Sequence, residues 1–256
     1  MKPRHLITRP LRRLLQFAGY DVVPRASLQP HSGLPSDFSA QDGDDFRFVQ
    51  PYTLVLPERI YTQTRAIEYI IQHGIPGALV ECGTWKGGSS MAMARALKRQ
   101  GVTDRDLYLF DLYANNWPTP TEYDVHNGQS ALQQVREGYE VPPEHIYSLD
   151  DVKRNMGLVG YSEERTHYVM GSVMDTLPAH APDRIALLRL DTDFYESTLH
   201  ELVHLYPRLV SGGVLIIDDY GDWEGSRKAT DEYLAAHNIP LCLIRVDVGA
   251  RMAVKP

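Results

Sequence analysis

Six carboxylates in this 256-residue chain stand at or just beyond the ends of short apolar runs. Glu81 closes ALVE, Asp111 closes LYLFD, Asp191 and Asp193 follow IALLRL, and Asp218 and Asp219 follow GGVLII. A buried, unpaired carboxylate is costly, so water, a cationic side chain or a metal ion must meet such groups. Asp191 precedes Asp218 by 27 positions and Asp219 by 28, the span of one strand–helix–strand unit. Adjacent parallel strands would bring these side chains within about 5 Å. Carboxylates that close repel unless a cation joins them. An all-oxygen set of Asp191, Asp218 and Asp219 suits Mg2+, with Mn2+ or Ca2+ behind it, whereas Zn2+ more often recruits His or Cys. The competing reading has Asp218 or Asp219 capping a helix and Asp191 paired with an arginine. Spacing alone leaves both open.

Asp193 lies two residues after Asp191, so in an extended strand end both project to one side. A general base is needed there if a hydroxyl is to lose a proton. The alternative, an N-cap for the helix starting near Ser197, is weakened by the distance. His126, His200 and His204 are further candidates. His200 and His204 stand four apart on one helical face, a spacing that more often marks an exposed or packed pair than a metal site.

The turn ECGTWKGGSS, residues 81–90, places Gly83, Gly87 and Gly88 between an apolar strand and an Ala-rich helix. Small residues admit a ligand to the backbone, and a helix start offers free N–H groups. The turn is neither G-x-G-x-x-G nor a P-loop. With Glu81 before it and Asp111 ending the next strand, where a carboxylate can accept from ribose hydroxyls, it suits a nucleoside-containing cofactor. Glu81, Gly83, Thr84, Trp85, Gly87, Gly88, Ser89 and Asp111 are the residues expected to line it. Trp85 either packs on the ligand or fills a gap.

The elements that must position these groups follow from residue 58 onward. PERIYTQTRAIEYIIQHG has helical spacing of Ile60, Ile67, Ile70 and Ile71 and a Gly74 stop. Strands are expected at GALVEC, DLYLFDLY, RIALLRLD, VLIIDDY and PLCLIRVDV, with a last one at RMAVKP. Helices are expected at MAMARALKRQ, STLHELVHLYPRLV and SRKATDEYLAAHN. In the second of these, Leu199, Leu202, Val203, Tyr206 and Val210 share a face, and Pro207 shortens the last turn. Gly212 and Gly213 are expected to turn the chain into the following strand. Alternating strands and helices with near-continuous apolar strands imply an α/β, doubly wound, mostly parallel sheet with helices on both faces. The short connection at Gly249 permits only a hairpin, so the chain ends in an antiparallel strand. The carboxylates then share one rim at the carboxyl ends of the strands, where such sheets bind ligands. Residues 114–171 form a long excursion with two helical stretches, expected to be a lid over the site or a plain cover for the sheet.

The chain carries a formal charge of −7 and no apolar stretch of about 20 residues, which argues against a nucleic-acid binder and a membrane span. Cys82 and Cys242 each sit in an apolar run and are expected as buried free thiols. No Cys/His cluster suits structural zinc. Residues 1–50 read as a basic arm and linker, ahead of a domain at 51–256. Lys2, Arg4, Arg9, Arg12, Arg13 and Arg25 oppose a single acid, Asp21. The arm is not a secretory signal. It either docks on a protein surface or lies on an anionic membrane, so the expected location is cytoplasmic, with contact at the inner face of the membrane as the second option.

The turn ECGTWKGGS, the segments LLRLDTDFYEST and IIDDY, and the order of elements over about residues 60–250 resemble the macrocin O-methyltransferase family. The resemblance implies a class I methyltransferase fold, S-adenosylmethionine as cofactor, and methylation of a sugar hydroxyl on a glycosylated natural product or surface glycan. A phenol is the alternative acceptor. It assigns a metal, Mg2+, to Asp191, Asp218 and Asp219, the base to Asp193, and an adenine-side contact to Ser172, and it implies a homo-oligomer. A nucleotide-binding oxidoreductase and a non-catalytic binding protein are the rivals. The first lacks its glycine fingerprint, and the second would have no need of an intact acidic rim.

Overall fold

The alternation of helix and strand is present in the computed structural model, which describes residues 34–113 and 118–256. The chain divides into two units, residues 1–39 and 40–256. Of the first, a turn at Ser36 and Asp37 is described. The basic residues from Lys2 to Arg25, and the membrane contact expected of them, lie outside the described residues. The second unit begins with α1 (Ala40–Val49), so residues 40–49 are helix and not the end of a linker. Asp45 holds α1 to the next-but-one helix by accepting from Arg95 Nη2 at 2.8 Å and from Arg99.

The elements then run α2 (Pro57–Gln72), β1 (Ala78–Cys82), α3 (Gly88–Arg99) and β2 (Leu107–Asp111). An excursion carries the hairpin β3 (Val125–His126) and β4 (Gln129–Ser130), α4 (Ala131–Arg136) and α5 (Leu149–Val159). There follow β5 (Thr166–Met170), α6 (Val173–Thr176), β6 (Ile185–Leu190), α7 (Tyr195–Leu205), β7 (Leu209–Ile217), α8 (Glu224–Ala236), β8 (Ile244–Arg245) and β9 (Arg251–Val254). The main sheet has the order β5-β2-β1-β6-β7-β9-β8. Strands β5, β2, β1, β6 and β7 are parallel, and β9 is antiparallel to β7 on one side and β8 on the other.

Three local expectations change. Thr166–Met170 is an edge strand of the main sheet, so the excursion proper ends before it. Gly212 and Gly213 lie within β7, where the pairing with β6 slips between Ile185 and Leu187; they form an irregularity in the strand and not a turn before it. Strand β8 is reduced to Ile244–Arg245 at the sheet edge, which leaves Cys242 exposed while Cys82 is buried.

Period-two alternation sorts the strands onto two cores. Leu79, Leu107, Leu109, Leu187, Val214 and Ile216 pack with α2 and α3. Val80, Cys82, Phe110, Leu188, Leu190, Leu215 and Ile217 pack with Leu202 and Leu205 of α7 and Tyr233 of α8. Each fully buried Leu or Ile contributes about 1.5–3 kcal/mol, so the two layers fix register firmly. The buried stripe of α7 is Ser197, Thr198, Glu201, Leu202 and Leu205, displaced from the face expected, and Val203 is exposed. Helix α7 ends at Leu205 and Pro207 sits in a short 3-10 turn. At α5 a reciprocal cap joins Ser148 and Asp151.

Among the described residues no helix is long and apolar enough to cross a membrane.

Candidate active site

The parity that builds the first core also builds the site. Glu81 continues the row of Leu79, Asp111 that of Leu109, Arg189 that of Leu187, and Asp218 that of Ile216. All therefore face the α2/α3 side, and Glu81 is the cross-strand partner of Arg189. Arg189 is buried at 2% exposure and donates to Glu81 Oε1, Asp191 Oδ2 and Asp218 Oδ1, each at 2.6 Å. Burial alone would lower its pKa, but Asp191, Asp218 and Glu81 outweigh burial and raise it. Arg59 at the start of α2 makes a second bridge, to Asp218, to Asp222 Oδ2 at 2.8 Å and to Asp247 Oδ2 at 2.6 Å.

Sequence reasoning missed both arginines. The signal was present: an arginine inside the apolar run IALLRL must be buried, and a buried guanidinium requires carboxylates. The arginine pairing weighed for Asp191 is thus real, and Asp218 has two such partners. It accounts for only part of the rim. Among the described residues Asp219 and Asp193 have no arginine partner. Asp219 Oδ2 accepts from the Asp193 backbone N–H at 3.0 Å.

Burial raises the pKa of Asp219, and the neighbouring charges of Asp193, Asp191 and Asp218 add to it. Asp191 is raised in the same sense, first by burial and then, against the pull of Arg189, by Asp218 and Asp193. Asp193 is pushed up to about 6, by burial first and by Asp218 second; hydrogen bonds from the Asp219 and Trp223 side oppose this. Candidate ligand atoms of Asp191, Asp218 and Asp219 all lie within 4.8 Å of one another. Negative charge held at this density, on oxygen donors only, fits a divalent cation. Asp193 has φ of +67°, a left-handed conformation that a non-glycine residue adopts only where its surroundings impose it.

A cavity of about 900 Å³ covers this rim. Glu81, Gly83, Thr84, Trp85, Ser89, Asp111 and Ser172 line one part of it, and Asp191, Asp193, Asp218 and Asp219 another. Gly87 and Gly88 open α3 directly behind. The glycine turn is shaped by packing as well as by any ligand. A Cβ on Gly83 would fall 1.8 Å from the Asp191 carbonyl oxygen, and one on Gly88 would fall 2.5 Å from that of Tyr52.

Asp111 is occupied by the protein itself. Its Oδ2 accepts from the N–H groups of Thr84 at 2.7 Å and Trp85 at 3.0 Å and from Thr84 Oγ1 at 3.2 Å. Its Oδ1 accepts from the N–H of Tyr113 at 2.8 Å and from Tyr147 Oη at 2.7 Å. Glu81, besides Arg189, accepts from Ser90 Oγ. Trp85 has φ of +47°, and its indole N–H is buried without a partner on the cavity wall. Ser172 accepts from the Met174 N–H at 3.2 Å.

The excursion contributes His126, whose Nδ1 lies 2.8 Å from the Asp222 carbonyl oxygen and whose ring lies 5.1 Å from that of Trp223. Asp124, fully buried, accepts from Thr121 and from the Tyr195 N–H at 2.7 Å, fastening the excursion to the start of α7. His200 and His204 sit with ring centroids 4.3 Å apart, away from the cavity wall.

A sheet of this strand order, mostly parallel with one antiparallel strand near its edge, matches the fold of the class I methyltransferases. The profile of the Macrocin-O-methyltransferase (TylF) family matches residues 26–253. The chain is 31% identical over 237 residues to mycinamicin III 3''-O-methyltransferase of Micromonospora griseorubida, covering 92% of this chain and 90% of that protein. It is 31% identical over 196 residues to 8-demethyl-8-(2,3-dimethoxy-alpha-L-rhamnosyl)-tetracenomycin-C 4'-O-methyltransferase of Streptomyces olivaceus, covering 77% of this chain and 72% of that one. The solved structure of the O-methyltransferase NovP superposes with a TM-score of 0.70 at 31% identity, over 80% of this chain and 82% of that one. The chain belongs to the macrocin O-methyltransferase family and is an S-adenosylmethionine-dependent O-methyltransferase.

Proposed function

We propose that this chain transfers the methyl group of S-adenosylmethionine to a sugar hydroxyl of a glycosylated small molecule, with Mg2+ held by Asp191, Asp218 and Asp219 and with Asp193 as base. The observation that carries this reading is the convergence of those three carboxylates, within 4.8 Å of one another, on the cavity wall they share with Asp193. The acceptor class is supported by the Streptomyces olivaceus relative, whose name places a rhamnosyl group on its substrate.

When bound, S-adenosylmethionine supplies an electrophilic methyl carbon, and a divalent cation lowers the cost of deprotonating an aliphatic hydroxyl. The protein does the rest. The Asp193 carboxylate would accept the proton of the acceptor hydroxyl, whose oxygen would take the methyl carbon as that carbon's bond to sulfur breaks and S-adenosylhomocysteine leaves; burial pushes the Asp193 pKa up to about 6, toward that of a base matched to neutral pH. Asp219 and Trp223 hold Asp193 in its left-handed conformation, so its aim does not depend on a mobile side chain. Arg189 and Arg59 fix Asp191 and Asp218 from behind without reaching Asp219.

On the other part of the cavity Glu81, Gly83, Thr84, Trp85, Gly87, Gly88, Ser89, Asp111 and Ser172 form the cofactor side. There Asp111 sets the turn through the Thr84 and Trp85 N–H groups, and the unpartnered Trp85 indole N–H awaits an acceptor from the ligand. The excursion after β2, tied down at Asp124 and His126, covers the acceptor side. Self-association, and attraction of the basic arm to anionic lipid, complete the proposal; light scattering and vesicle co-sedimentation read them directly.

The test is methyl transfer from S-adenosylmethionine to a panel of glycosylated natural products and simple phenols, with Mg2+ and with EDTA. The reading expects Mg2+-dependent methylation of a glycoside hydroxyl. Transfer that survives EDTA, or that is confined to phenols, contradicts it.

A further inference from the structure

Glu201 is the fully buried acid that the reaction above leaves without a role. It lies on the buried stripe of α7 at 0% exposure, beside Leu202 and Leu205, where an apolar side chain would pack at no electrostatic cost. Among the described residues it has no cationic partner. Both its oxygens accept from a single hydroxyl, Thr192 Oγ1, at 3.0 and 3.2 Å, and the Cys82 thiol completes the set. Burial holds the carboxyl well above its ordinary pKa range.

Thr192 is the residue between Asp191 and Asp193. Its carbonyl accepts from the Phe194 N–H at 2.7 Å and from Ser197 Oγ at 3.2 Å. The Asp191 N–H is fixed to the Cys82 carbonyl at 2.8 Å, and Asp193 stands at φ of +67°. Cys82 and Glu201 therefore grip the same three-residue loop, one through its backbone and the other through its central hydroxyl. A left-handed residue persists only when neighbouring structure over-determines it. The Thr192 hydroxyl is the loop's side-chain contact to the helix layer beneath the sheet, beside the Ser197 contact to its carbonyl, on the side opposite Arg59 and Arg189.

We propose that Glu201 is a positioning residue: through Thr192 it sets the geometry of Asp191 and Asp193, at the expense of fold stability. The inference rests on the reading of Asp191 and Asp193 as cation ligand and base.

The test uses the full chain and three variants, Glu201→Leu, Glu201→Gln and Thr192→Val, with the double variant of Leu and Val. Three quantities are read: the melting temperature, the affinity for Mn2+ alone by electron paramagnetic resonance, and kcat and KM with a glycoside that the wild type methylates. Glu201→Leu removes a buried polar group and should melt at the wild-type temperature or above. It should nevertheless bind Mn2+ about tenfold more weakly and lose about 10–100-fold in kcat, with KM for S-adenosylmethionine unchanged, as misplacement of a reacting group does. Thr192→Val should match it, and the double variant should be no worse than either single one, since both cut one contact. Glu201→Gln retains an oxygen acceptor for the Thr192 hydroxyl and should stay within about threefold of wild type.

A Leu variant with wild-type kcat and Mn2+ affinity overturns the inference. So does a Gln variant as impaired as Leu, or losses that add in the double variant. A wild type that binds no Mn2+ and transfers no methyl group overturns the functional reading itself, and this inference with it.

Discussion

The two parts of the cavity wall are both acidic, and the sharpest contrast between them is that of Asp111 with Asp219. On the cofactor side Asp111 receives five protein donors and Glu81 is closed off by Arg189 and Ser90. On the proposed acceptor side Asp219 and Asp193 share one backbone N–H and a tryptophan contact between them, and burial, with the charge of Asp218 adding to it, raises the pKa of each. A carboxylate whose lone pairs are filled by its own chain is a fixture that shapes a turn. One that is crowded by like charges and receives few donors is suited to meeting a cation.

Four substitutions break or sharpen that contrast. The largest effect is expected from Asp193→Asn, which should lower kcat by about 10²–10⁴-fold while S-adenosylhomocysteine affinity, read by calorimetry, stays at the wild-type value. Arg189→Met should come next. It strands Glu81, Asp191 and Asp218 without their shared partner and should cost about 3–5 kcal/mol in urea unfolding. Asp111→Asn places an amide among three backbone donors; it should cost about 1–3 kcal/mol and weaken S-adenosylhomocysteine binding without touching Mn2+ affinity. The smallest effect is expected from Tyr147→Phe, which removes one of the five donors and should change stability by about 0.5–1.5 kcal/mol. An Asp111→Asn variant that loses Mn2+ would erase the distinction between the two sides.

Much of this was legible before any coordinates. Strand ends at Glu81, Asp111, Asp191 and Asp218 follow from apolar runs that stop on a charge, and the hairpin at Gly249 follows from a connection too short for a crossover. The line-up of acids along one rim needed only parallel strands. The arginines were harder to read. Arg59 reaches Asp218 from 159 positions away in sequence, and no local pattern encodes that pairing. Arg189 was visible in IALLRL but passed as part of the strand, and it is the arginine partner of Asp191 and Asp218 that spacing alone left open. The saturation of Asp111 depends on Tyr147, which comes from the excursion, where periodicity is weakest. Glu201 reads as an ordinary helix residue until the buried face of α7 is known. Cys242 went wrong for the related reason that an edge strand of two residues covers little.

The central claim is that Asp219, together with the arginine-braced Asp191 and Asp218, holds a divalent cation and that Asp111 does not. Titration of Mn2+ into the wild type, Asp219→Asn and Asp111→Asn, followed by electron paramagnetic resonance, tests it most directly. The account predicts one ion per chain in the wild type and in Asp111→Asn, and its loss in Asp219→Asn. A wild type that binds no ion, or an Asp219→Asn variant that binds as the wild type does, would contradict it.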